Sequence, residues 1–81
     1  MSTNPNESKL PTPEELEAEI TAFSKERTEC ETKAKELLLQ EDPLKGIFYP
    51  QEIFQIKQDM LRLETEILFR KNKLARMRFE Q

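Results

Sequence analysis

Two runs of apolar residues, each spaced by steps of three and four, flank a short stretch that holds the chain's only glycine. In the first run, Leu16, Ile20, Phe23, Cys30, Ala34 and Leu37 step by 4, 3, 7, 4 and 3, the long step passing over Arg27. In the second, Ile53, Ile56, Met60, Leu63, Ile67, Arg70, Leu74 and Met77 step by 3, 4, 3, 4, 3, 4 and 3. A mean period of about 3.5 lays one edge of an α-helix against a partner helix, whereas a strand would alternate every second residue. The intervening EDPLKGIFYPQE, residues 41–52, carries Pro43, Gly46 and Pro50, which supply a stop, a turn and a restart. Thr12-Pro13-Glu14-Glu15 is a helix start: Thr at the N-cap, Pro at N1 and Glu at N3 form a capping box. Pro50 and Glu52 take the same positions in the second helix, behind Tyr49, a poor N-cap. The expected organisation is a disordered polar tail over 1–11, a helix over 12–41, a turn over 42–49 and a helix over 50–80. Each helix is then roughly 42–45 Å long at 1.5 Å per residue.

The two runs are in phase with each other. In an antiparallel pair, facing residues have numbers with a constant total. Leu37 with Ile53, Ala34 with Ile56, Cys30 with Met60, Arg27 with Leu63, Phe23 with Ile67, Ile20 with Arg70 and Leu16 with Leu74 all total 90. Small residues then face larger ones, as interdigitated packing requires. Charge favours the same arrangement: Glu14, Glu15, Glu17 and Glu19 lie beside Arg70, Lys71, Lys73, Arg76 and Arg78, and each cluster sits at the helix end that its charge suits. A parallel dimer would set acid against acid. The charged seam members, Arg27 and Arg70, read either as register keys or as side chains reaching sideways to Glu64 and Glu19. The fold class expected is all-α: an antiparallel two-helix coiled-coil hairpin within a larger helical bundle with partner chains.

A hairpin with one contact seam encloses no core, and a domain of 81 residues normally needs a staple, a metal or association. One Cys and no His exclude a disulfide or zinc framework, and no cofactor motif is present. Catalysis lacks a base or an activated nucleophile, so no enzyme is expected. Association remains. Phe54, Leu61 and Leu68, with Ala75, recur every seven residues about 100° round the second helix from the seam residues Ile53, Met60, Ile67 and Leu74 that precede them, and Leu38 and Leu39 stand beside Leu37. These, with Phe48 and Tyr49 of the turn, are the expected partner-binding residues. Some of Leu44, Ile47, Phe48 and Tyr49 are expected to fold back over Leu37, Leu38 and Phe54 as a cap.

No stretch approaches the roughly 18 apolar residues of a membrane span, and no secretory or lipidation signal is read at either end. The expectation is an intracellular protein of the nucleus or cytoplasm, bound to other protein subunits or to itself. Residues 70–78 carry five positive charges, which admits nucleic-acid binding as a weaker alternative, against a net charge of −3.

EDPLKGI (41–47) is similar to a tract of heterotrimeric G-protein gamma subunits, but their NPF segment and prenylation Cys are absent. GIFYPQEIFQIKQDMLRLETEILFRKNKLARM, residues 46–77, resembles the last helix of small Mediator-complex subunits of the subunit 9 type, through Leu61, Glu64, Ile67, Lys71 and Leu74. The resemblance implies a nuclear, non-catalytic scaffold subunit in the regulation of transcription. Comparable hairpins occur in kinetochore and vesicle-tethering complexes, and a self-associating adaptor of that kind is the competing expectation.

Overall fold

A computed structural model describes residues 10–79 as two long helices, α1 (Pro13–Gln40) and α2 (Pro50–Phe79), joined by a short 3-10 turn, Pro43–Lys45. The tail expected over 1–11 falls largely outside the described residues; Leu10 and Pro11 are non-helical. The first helix is shorter than the expected span by one residue at each end. Thr12 and Glu41 both have extended backbones and act as caps, and Glu80 lies outside the described residues.

The start of α1 is a complete capping box. The Glu15 N–H donates to Thr12 Oγ1 at 3.1 Å, and the Thr12 N–H donates back to Glu15 Oε1 at 3.1 Å. Pro43 ends the helix early by forcing Asp42 into the extended region, at φ −133° and ψ 94°. Asp42 then organises the turn. Its Oδ1 accepts from the Leu44 N–H at 3.1 Å, and its backbone exchanges two 2.9 Å hydrogen bonds with Ile47. Gly46 closes the turn in the left-handed region at φ +70°, where a side chain would be strained. Tyr49, expected to be a weak helix start, has its N–H taken by Glu41 Oε2 at 2.9 Å, so the end of α1 caps the start of α2.

Along α1 from Glu14 to Gln40, the residues withdrawn from solvent are Leu16, Ile20, Phe23, Arg27, Cys30, Ala34 and Leu37. Along α2 they are Ile53, Ile56, Met60, Leu63, Ile67, Arg70, Leu74 and Met77, together with the flanking acids Asp59 and Glu66. Full burial is reached only at Leu16, Ala34, Ile53, Leu63 and Leu74 among the described residues. The packing is therefore one line of contact. The molecule is 14 Å across its thinnest axis and 62 Å along its longest, with a radius of gyration of 18.5 Å. A compact chain of this length would have a radius near 12 Å.

The loop does not form the expected cap. Leu44 is 99% exposed, Ile47 and Phe48 are also exposed, and only Tyr49 is half-buried. The reason is local. The Asp42–Ile47 bridge and the Asp42 side chain satisfy the turn's backbone within itself, and this tight closure leaves Leu44 projecting from its tip.

Candidate partner-binding surface

The charged seam residues are placed by their partners. Arg27, whose register partner is Leu63, turns sideways so that Nε donates to Glu64 Oε2 at 2.8 Å. Its head leaves the seam, and Leu63 is the most deeply buried large side chain, 1% exposed. Arg70 is held more fully. Nε donates to Glu19 Oε1 at 2.8 Å, Nη1 donates to Glu66 Oε1 at 2.8 Å, and the guanidinium lies 4.5 Å from the centre of the Phe23 ring. Glu66 first, and Glu19 second, hold the Arg70 pKa above its ordinary value. Glu66 went unnoticed in the sequence, although its i,i+4 spacing to Arg70 is the signal that finds it. The Glu41–Tyr49 bond had no comparable signal, because it depends on the path of the turn.

The predicted partner-binding residues divide into three groups. Phe54, Leu61 and Leu68 form an exposed stripe along α2, at 63%, 57% and 58% exposure, and Ala75 continues it. Seven-residue spacing keeps all four on one side of the helix. A shallow groove lined by Ser24, Arg27, Glu64, Ile67, Leu68 and Lys71 shows that the stripe borders the junction between the helices on the Glu64 side. Leu38 lies at the α1 position that borders the same junction and is exposed. Leu39, one residue on, is about 100° further round, on the outer side of α1, and shares no continuous surface with the stripe. Phe48 belongs to the exposed turn, and Tyr49 is half-buried there.

Other apolar residues are exposed without joining this surface. Phe69 lies on the opposite flank of α2, in a shallow cleft with Arg62, Thr65 and Glu66. A wider open groove at the closed end, lined by Lys33, Glu36, Leu37, Gln40, Gln51, Glu52, Gln55 and Ile56, is rimmed by amides and charges. Among the described residues, no three His, Cys, Asp or Glu side chains are grouped to hold a metal, and no helix is long and apolar enough to cross a membrane. At the basic end, Arg70 is engaged by two carboxylates, while Lys71 and Arg78 share one side of α2 and Lys73 and Arg76 lie on another.

What this arrangement can do is present a straight, apolar line about 21 Å long, from Phe54 to Leu68 at 1.5 Å per residue, to another helix. No family model, curated protein or solved structure matches the chain.

Proposed function

We propose that the chain is a non-catalytic structural subunit that docks on partner helices through the Phe54–Leu61–Leu68 face of α2. The observation that carries this reading is the exposure of that stripe in a molecule only one helix layer deep. Fully burying a Phe or Leu side chain is worth about 1.5–3 kcal/mol, so covering what remains exposed here yields about 1–2 kcal/mol per residue. Three such residues on one line make a docking face, whereas scattered single exposed apolar residues carry no such meaning. Leu38 extends the face at the closed end, and Leu39, Phe48 and Tyr49 are separate candidate contacts for a further chain.

The resemblance of residues 46–77 to small Mediator-complex subunits supports a nuclear setting in the regulation of transcription. Affinity isolation of the tagged chain from its native cell tests the proposal. The expected result is a defined set of helical subunits, Mediator subunits among them, that is lost with Leu61→Glu plus Leu68→Glu while helicity persists. Recovery of the same set with that variant would refute the docking face; recovery of kinetochore or tethering subunits instead would refute the setting.

A further inference from the structure

The order of charges beside the α2 stripe is self-complementary, and this bears on what covers it. Even spacing alone decides nothing, because any three residues seven apart map onto themselves when the helix is reversed. The flanks are different. On the side facing the α1 junction, Lys57 and Glu64 bracket Leu61 with opposite charges. On the other side, Gln58 and Thr65 bracket it without charge. Set a second α2 antiparallel, with a twofold axis through Leu61: Leu61 meets Leu61 of the second copy, Phe54 meets its Leu68, Lys57 meets its Glu64 and Gln58 meets its Thr65. A parallel pair in the same contact would instead bring Lys57 to Gln58 and Glu64 to Thr65 of the second copy, with no ion pair across the seam. Glu64 retains a free oxygen for this contact, since the Arg27 bond uses Oε2. Both flanking groups are exposed, so their part is to select orientation, while the stripe supplies the attraction.

Resting on the docking reading above, we propose that the partner helix on this stripe is α2 of a second copy of the chain, joined antiparallel about a twofold axis at Leu61, and that the other subunits are held by the pair and lost when pairing is lost. Such a contact is isologous: each protomer contributes the same patch. The α1 helices then lie on the outside of the pair, because the stripe sits roughly 130° round α2 from the centre of the seam. The closed-end residues Leu39 and Leu44 stay outside the contact.

The test uses the purified full chain in sedimentation equilibrium, together with a spin label on Asn72→Cys in a Cys30→Ala background. Asn72 is exposed on the uncharged flank of the stripe, seven residues beyond Thr65 and well away from Leu61 at the axis. The expected result is a dimer below about 100 µM, with labels about 33 Å apart along the axis, given eleven residues on each side of Leu61 at 1.5 Å each. Leu61→Glu places two carboxylates together on the axis and should weaken the dimer by about a hundredfold or more. As a second variant, Lys57→Glu sets an acid against Glu64 of the second copy at both symmetry-related contacts of the charged flank without touching the stripe, and should weaken the dimer by about tenfold at low salt.

A monomer at 100 µM would overturn the proposal, as would labels within about 15 Å or a dimer indifferent to Leu61→Glu. The docking reading fails separately. If the chain is monomeric yet Leu61→Glu plus Leu68→Glu abolishes recovery of other subunits, only the second-copy assignment falls; if neither association responds, both fall.

Discussion

Replacing Leu63 by Ala, and comparing it with Leu61→Ala two residues away, separates the hairpin's own stability from that of its assemblies. Leu63 is 1% exposed in the middle of the seam, whereas Leu61 is 57% exposed on the stripe. Buried Leu→Ala changes cost about 2–5 kcal/mol, and the lower end applies here because a single open layer can close partly over the lost volume. Total stability at about 0.05–0.15 kcal/mol per residue gives roughly 4–12 kcal/mol for a chain of this length. One line of contact with five buried side chains belongs at the bottom of that range. Leu63→Ala should therefore remove about half the stability, near 2–3 kcal/mol. Urea unfolding followed by far-ultraviolet circular dichroism would register this as a midpoint lower by about 2 M, taking a slope near 1 kcal/mol per M. Leu61→Ala should cost under about 0.5 kcal/mol at high dilution. Its penalty should grow with protein concentration, or on addition of the partner, because association stabilises only the folded state. Equal, concentration-independent losses for the two variants would refute the division between seam and stripe.

Three further outcomes follow from local geometry. Gly46→Ala meets no atom within 4 Å, so its cost is backbone strain alone, about 1–2 kcal/mol by thermal denaturation; a neutral result would mean the φ of +70° is not held. Thr12→Ala removes the hydroxyl half of the capping box and should cost about 1 kcal/mol, with amide exchange rising in the first turn of α1. Arg27→Leu gives up one exposed ion pair and adds apolar contact at the layer of Leu63, so its melting temperature should rise; Arg70→Leu also loses Glu19, Glu66 and the Phe23 ring, and should rise less or not at all. A sharp fall for Arg27→Leu would contradict its reading as a side chain that merely leaves the seam.

The hairpin was legible because its determinants are periodic or local. Steps of three and four decide which edge of each helix meets the other, and Pro43, Gly46 and Pro50 decide where the chain reverses. The sideways reach of Arg27 to Glu64 and of Arg70 to Glu19 could be anticipated from the register, since an antiparallel pairing places those carboxylates alongside. The turn could not be read in the same way. Apolarity at Leu44 suggested a fold-back cap, but Asp42 closes the turn on its own backbone, and that closure decides where Leu44 points. Leu39 shows a related limit: adjacency to Leu37 and Leu38 in sequence means about 100° on a helix, so three consecutive leucines face three directions. The occupant of the stripe was the least legible feature, since a heptad pattern describes a surface and carries no name for what covers it.

Hydroxyl-radical footprinting of the native assembly, read by mass spectrometry against the dispersed hairpin, addresses the docking face most directly. Phe54, Leu61 and Leu68 are open in the hairpin, and Leu44 and Phe69 serve as exposed controls. The stripe should be protected in the assembly while Phe69 is oxidised as in the dispersed chain. Oxidation of Phe54, Leu61 and Leu68 to the same extent in both states would contradict the assignment of this face to partner binding.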